Sequence, residues 1–312
     1  MRILAIPLMG GRGNQYFQMN AAIGIAKINR IKKIYFLVEK NHILSAKSLD
    51  LCFNKAEKLG IEFDFLKKES TAARIFRKVV NFQLRSALSR DFVTEIRLLI
   101  TKPLLILFSL IIFKQNIKIF VARDLGFSGF PKTERSILIV GYFQSIEYGD
   151  NLSELFIKRK SSRPSSNHTD VMIHIRQGDY RNNPNFGILA PKYYRELLIE
   201  ISQGERIRRI DVYSDDDIDT KKLKEYIGNL EFKPTVNLYP GSKLSDAESF
   251  QKMANNYNYY LIANSTFSYW AAVFGENAES VIFYPSPWFK SIESPNRMFK
   301  SSWRMANSHF LD

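Results

Sequence analysis

The first polar–apolar boundary in the chain is abrupt. Arg2 to Met9 is a short, mostly apolar run that reads as a strand, and it stops at Gly10-Gly-Arg-Gly13, which reads as a turn. From Asn14 to Ile28, small and apolar residues (Phe17, Ala21, Ile25, Ile28) recur every three or four positions, the spacing of one helix face. Ile34 to Val38 predicts a second strand, and Ser136 to Val140 another, followed by "GYFQSIEY". The pattern between residues 41 and 135 is mostly helical or irregular and gives no clear order of elements. Ser161-Ser-Arg-Pro-Ser-Ser-Asn167 is polar, carries Pro164 and predicts a linker.

The second half alternates more regularly. Strands are predicted at Val171–Ile175, Ile210–Tyr213, Val236–Tyr239, Tyr259–Ala263 and Val281–Tyr284. Helices are predicted at Pro191–Ile201, with proline at the start, at Asp217–Ile227 and at Phe267–Phe274. Ser245-x-x-Glu248 is a capping box opening a further helix to about Ala254. Repeated strand–helix alternation implies a parallel sheet with helices on both faces. No internal repeat is present. The expected architecture is two α/β domains facing each other across a cleft: residues 1–160, with a helical insert at about 41–130, and residues 161–312. Ligands of such folds sit beyond the carboxyl ends of the strands. "MGGRGNQ", "GYFQS", "HIRQGDY", "YSDDD" and "ANSTFS" all fall at predicted carboxyl ends.

Charge and composition narrow the classes. The formal net charge is +14, which favours anionic partners. No nucleic-acid-binding motif accompanies it, so nucleic acid is not expected. Nine Lys/Arg against three acids lie between Lys67 and Lys102, directly before the apolar run Pro103–Phe113. That run is too short to span a bilayer, which needs about 20 residues. It predicts either a buried core helix or a basic, apolar face lying on an anionic membrane. One cysteine, Cys52, permits no internal disulfide and no Cys-rich zinc site. The four histidines (42, 168, 174, 309) never fall at i, i+4 spacing, so a His-based metal centre is not expected. The first apolar run is short and interrupted by Pro7, unlike a signal peptide, which predicts a cytoplasmic protein.

Each cluster has a chemical and a plain structural reading. "GGRGNQ" lacks the third glycine of a dinucleotide fingerprint, since Tyr16 stands there, and lacks the Walker Gly-Lys-Ser/Thr. Gly11 and Gly13 still let backbone approach a ligand, and Asn14 and Gln15 can donate and accept; a simple tight turn is the alternative. "SDDD" (214–217) resembles an Asp-x-Asp cation site, but Asp217 or Asp219 can equally cap the following helix. Asn264, Ser265 and Thr266 precede a helix, where hydroxyls and free N–H groups suit a phosphate or a plain N-cap. Trp270 reads as core. In "HIRQGDY", His174, Arg176, Gly178 and Asp179 place a cation, a turn and a carboxylate at one strand end.

Taken in order, "GGRGNQYFQ", "GYFQSIEY", "HIRQGDY", "YSDDD" and "IANSTFSYWAA" resemble the α-1,2-fucosyltransferases of glycosyltransferase family 11, over about residues 9 to 289. Two positions depart from that pattern. Arg12 stands where a bulky apolar residue is commoner, and Gln177 replaces the second arginine of His-x-Arg-Arg-Gly-Asp-Tyr. The resemblance implies a GT-B-type fold of two Rossmann-like domains, GDP-fucose as donor, inversion at the anomeric carbon, and neither cofactor nor essential metal. It implies a bacterial, cytoplasmic enzyme, peripheral to the inner membrane if it docks there, acting on a glycan acceptor that can be lipid-linked. Arg176 would then neutralise charge growing on the leaving diphosphate, and Asp179 would act as base or orient Arg176. His174 would bond the donor or brace the loop. Gly11, Gly13, Asn14, Gln15, Gly178, Asp215, Asn264, Ser265 and Thr266 would contact the donor, and Tyr142 and Gln144 the acceptor or cleft. Another GDP-linked deoxy- or L-sugar donor, a non-catalytic membrane-surface protein and a dinucleotide oxidoreductase are the rival readings.

Overall fold

Among the described residues eleven strands form two sheets, and every strand pair within them is parallel. The structure is a computed structural model. It describes residues 1–38, 59–65, 78–79, 92–122, 124–153, 169–230 and 233–311. The chain divides into two units, Met1–Ile157 with Pro295–Phe299, and Lys158–Ser294 with Lys300–Asp312.

In the first unit, β1 (Leu4–Leu8), β2 (Lys33–Val38), β3 (Glu62–Phe65), β4 (Ile117–Val121) and β5 (Ser136–Val140) lie in the order β3-β2-β1-β5-β4. Every residue of β1 and β5 is buried. That explains their unbroken apolar runs, since a central parallel strand is covered on both faces. Helix α1 (Arg12–Ile28) follows β1 and buries nearly its whole length from Gly13 to Ala26. Its Asn20 is buried too. The side-chain oxygen accepts the N–H groups of Asn151 (3.0 Å) and Leu152 (3.2 Å), and the amide nitrogen donates to the Gly149 carbonyl (2.6 Å). Gly24 meets the Tyr148 carbonyl so closely that no side chain fits there. Helix α2 (Phe92–Phe113) precedes β4 and contributes Leu105 to a core with Ile3, Ala5, Leu138 and Val140.

In the second unit, β6 (Thr169–Ile175), α3 (Pro191–Gly204), β7 (Ile207–Ser214), α4 (Thr220–Ile227), β8 (Thr235–Tyr239), α5 (Asp246–Met253), β9 (Tyr259–Leu261), α6 (Thr266–Gly275), β10 (Val281–Ser286) and β11 (Arg304–Asn307) follow in turn. The sheet order is β11-β10-β9-β6-β7-β8. Numbered from its own first strand this is 3-2-1-4-5-6, the Rossmann order. Helix α3 turns Tyr193, Tyr194, Leu197, Leu198 and Ile201 inward, a stripe at helical spacing. The capping box at Ser245 and Glu248 forms as expected. Trp270 is buried, also as expected. Both units are Rossmann-like α/β folds, the class expected from the sequence.

Three features differ from the sequence reading. The region expected to be a helical insert, about 41–130, supplies both edge strands of the first sheet, β3 and β4. Strand β11 has no apolar pattern to announce it: its residues are Arg304-Met-Ala-Asn307 and it lies at a sheet edge, mostly exposed. Finally, residues 295–299 return to the first unit. Asn296 accepts the Phe127 N–H through its side chain (2.7 Å), and the Arg297 carbonyl accepts from the Ser145 hydroxyl (2.7 Å) and the Ile146 N–H (3.0 Å). Polar side chain–backbone bonds of this kind leave no trace in hydrophobic patterning. The expected linker, Ser161–Asn167, lies outside the described residues, as do Cys52, His42 and His168.

Candidate functional site

A doubly wound sheet binds ligands where its strand order reverses, because the loops on either side part there. In the first unit that point lies between β1 and β5. The loop after β1 ends at Gly11, the N-cap of α1, and the first turn of that helix carries Gly13, Asn14 and Gln15, two residues earlier than the helix start expected at Asn14; the loop after β5 carries Tyr142 and Gln144. The structure joins the two. Gln144 donates its amide N–H to the Asn14 side-chain oxygen (3.0 Å), and Gln18 donates to the Gly141 carbonyl (3.0 Å) while accepting the Met9 N–H (2.8 Å). Gln15 donates to the Gly10 carbonyl (3.0 Å). Gly10 has a positive φ of 72°, which favours glycine, and a Cβ on Gly11 would meet nothing within 4 Å. The loop is therefore both a tight turn and an open backbone surface.

In the second unit the reversal lies between β6 and β9. "HIRQGDY" leaves β6 and "ANST" leaves β9, and Tyr180 bridges them by donating its hydroxyl to the Asn264 carbonyl (2.8 Å). Arg176 is the centre of this end. Its guanidinium meets Asp179 at 2.7 Å and Asp215 at 3.1 Å, and lies 5.4 Å from the centre of the Tyr180 ring. The two carboxylates differ. Asp215 is half-buried and tied down: one oxygen accepts the Gln177 N–H (2.8 Å), and its other oxygen stands 2.7 Å from where a Cβ on Gly178 would be. Asp179 is 66% exposed, and no such backbone bond holds its side chain. The Arg176 Nε–H is buried without a hydrogen-bond partner.

The neighbouring polar residues have structural duties. His174 is buried; burial first, and the Arg176 charge second, push its pKa down to about 3, so the ring is neutral. It lies beside Phe267, and its carbonyl accepts the Tyr194 hydroxyl (2.8 Å). Asn264 is fully buried and donates to the Phe186 and Gly187 carbonyls, each at 3.0 Å. The Ser265 hydroxyl caps α6 by accepting the Phe267 N–H, and Thr266 is the first residue of that helix. Burial pushes the Tyr180 phenol pKa up, keeping it a neutral donor. Among the four acids after β7, Asp215 serves Arg176, Asp216 pairs with Arg181 (2.5 Å), Asp217 accepts from Ser242 (2.6 Å) and Asp219 caps α4. Of the two cap candidates, Asp219 is the cap.

The sequence reading assigned no role to Gln177, Tyr180, Arg181 or Tyr226, yet these fix the loop. Gln177 donates to the Tyr226 hydroxyl (2.6 Å) and accepts from Arg181 (2.8 Å). Tyr180 lay inside the quoted motif and could have been found there. Tyr226 gave no signal, being one aromatic on the apolar stripe of α4.

Comparisons with known proteins follow the same lines. The chain is 27% identical to the Escherichia coli "O-antigen biosynthesis glycosyltransferase WbnK", with 95% of this chain and 98% of that protein covered. It is 26% identical to an Escherichia coli "Alpha-1,2-colitosyltransferase", with 94% of each covered. Among solved structures it is similar to the glycosyl transferase family 9 protein of Veillonella parvula, at 9% identity and a TM-score of 0.47, covering 98% of this chain and 87% of that one. Four of the five motif-bearing segments stand at the strand reversals of two Rossmann-like units, and residues 111–307, more than half the chain, match the model of Glycosyl transferase family 11; the chain belongs to that family.

Proposed function

We propose that the protein is an inverting α-1,2-glycosyltransferase that moves L-fucose from GDP-fucose to the 2-hydroxyl of an acceptor sugar, galactose being the expected one, during surface polysaccharide synthesis. The single observation that supports this most is Arg176: a guanidinium at a strand reversal, braced by one tethered carboxylate, with one exposed carboxylate on its other side and a buried N–H without a partner.

The chemistry runs from that arrangement. Breaking the bond between the sugar anomeric carbon and the diphosphate oxygen leaves negative charge on the diphosphate. Arg176 offers parallel N–H donors for phosphate oxygens, and Asp215 keeps it aimed before the charge appears. The diphosphate displaces Asp179, the exposed partner, from Arg176. Asp179 is then an available base: it takes the proton of the acceptor hydroxyl as that oxygen bonds to the anomeric carbon from the opposite face. His174 holds the loop as a neutral brace. The amino end of α6, with Thr266, adds N–H groups toward phosphate. Asn14 and Gln144, bonded to each other, would act on one ligand together. Metal independence is part of the same proposal: Arg176 and the amino end of α6 would supply the positive charge that the leaving diphosphate needs.

A second donor reading has its own support: a relative covering nearly the whole chain is named a colitosyltransferase. Colitose is L-fucose without its 3-hydroxyl, so Arg176 and Asp179 would act identically on either. The other relative's name motivates an O-antigen acceptor, lipid-linked during assembly. The test is GDP release from GDP-fucose and GDP-colitose with galactose-terminated acceptors, followed by linkage analysis. An α-1,2 product from one or both supports the reading; another linkage, or no GDP release from either donor, overturns it.

A further inference from the structure

From Thr101 to Phe113 helix α2 is apolar on two faces, and among the described residues only one is covered. Thr101, Leu105 and Ser109 are buried, Leu105 at 1% exposure, and Phe108 and Ile112 pack beside them against the first core. On the other side Leu104, Leu107, Leu110 and Ile111 are 41%, 52%, 43% and 55% exposed. These four recur at three- and four-residue spacing, so they form one continuous stripe on the helix surface. Other large exposed apolar residues, such as Ile28, Ile199 and Met305, are scattered across separate elements. Lys114, directly after the helix, follows the stripe and is exposed, and no acid occurs from Thr101 to Phe113. The chain just before it carries nine Lys/Arg against three acids between Lys67 and Lys102.

We propose that this face of α2 docks on an anionic lipid surface, with Leu104, Leu107, Leu110 and Ile111 entering the headgroup–acyl boundary and Lys114 meeting lipid phosphates. The charge identifies the occupant. An apolar stripe without acids and with a lysine at its carboxyl end, on a chain of net charge +14, complements a negatively charged leaflet, and interfacial binding strengthens with apolar area and basic charge together. The helix lies on the surface and does not cross: among the described residues no helix is long and apolar enough to span a membrane. The buried and membrane-facing readings of the Pro103–Phe113 run thus apply to opposite faces of one helix. Docking holds for whichever sugar is transferred, and its test needs no turnover.

The experiment is flotation of the full chain with vesicles of phosphatidylglycerol and phosphatidylethanolamine, beside vesicles of phosphatidylcholine alone. Binding is expected to the anionic vesicles at low salt and to fall steeply as salt rises. Leu107→Gln with Ile111→Gln should weaken it about tenfold or more while leaving the melting temperature unchanged, because both side chains are exposed. Lys114→Gln should cost roughly fivefold. Leu105→Asp, on the covered face, should unfold the protein. No binding to anionic vesicles at low salt, binding indifferent to the exposed-face variants, or a concentration-dependent dimer broken by those variants without vesicle binding would each overturn the proposal.

Discussion

Arg176 uses its five N–H donors unevenly. Two contacts reach Asp215 and Asp179, one of them anchored and one exposed, and Nε–H is left over in a buried position. A buried unpartnered donor is costly, so a ligand that supplies an acceptor there relieves it. Arg176→Lys keeps the charge and loses the fork. It is expected to lower kcat by about 100-fold, the usual effect of removing one preorganised group from a developing oxyanion. Near-full turnover in the lysine variant would rule out the paired-donor role. His174 makes a different, pH-dependent prediction. Its native pKa of about 3 lies below the ordinary 6.5 because burial disfavours the cation. Between those values the unfolded chain holds a proton that the native protein does not. The contribution to stability is therefore complete above pH 6.5 and is lost as pH falls through the window, by up to about 1.4 kcal/mol per pH unit. Most carboxylates titrate below about pH 5. Urea unfolding from pH 7 to 5 should therefore show a shallower pH slope for His174→Gln than for the wild type. Equal slopes would show that the ring titrates normally.

At the scale of elements, the loop between β6 and α3 is built around close approaches. A Cβ on Gly178 would stand 2.7 Å from the Asp215 carboxylate, and one on Gly241 would stand 2.7 Å from the Asp215 carbonyl. Gly178→Ala should therefore push Asp215 off Arg176 and lower kcat/KM by about tenfold or more, with little change in melting temperature. Wild-type kinetics in that variant would mean that Asp215 does not position Arg176. The central strands were legible because burial on both faces writes an apolar run into the chain, as at Leu4–Leu8 and Thr169–Ile175. Of the four edge strands described, Thr235–Tyr239 was legible and Glu62–Phe65, Ile117–Val121 and Arg304–Asn307 were not. Glu62–Phe65 alternates acid and phenylalanine over only four residues, and Arg304–Asn307 has just Met305 and Ala306 between polar ends; runs this short give too little pattern to read. The site loops were legible as polar clusters after apolar runs. Their internal wiring was not, because bonds such as Tyr180 to Asn264 and Gln177 to Tyr226 join residues 84 and 49 positions apart.

For the whole molecule, two Rossmann-like units and family 11 membership establish a glycosyltransferase, and Arg176 with its two carboxylates carries the proposed chemistry. Neither the charge of +14 nor the fold specifies the sugar, because donor choice depends on which hydroxyls the pocket bonds. The most direct measurement is GDP release with a galactose-terminated acceptor and GDP-fucose or GDP-colitose, in excess EDTA, with the product linkage determined. The account predicts undiminished release and an α-1,2 product. Turnover that stops on chelation and returns with Mg²⁺ or Mn²⁺ would contradict it, as would the absence of release from both donors.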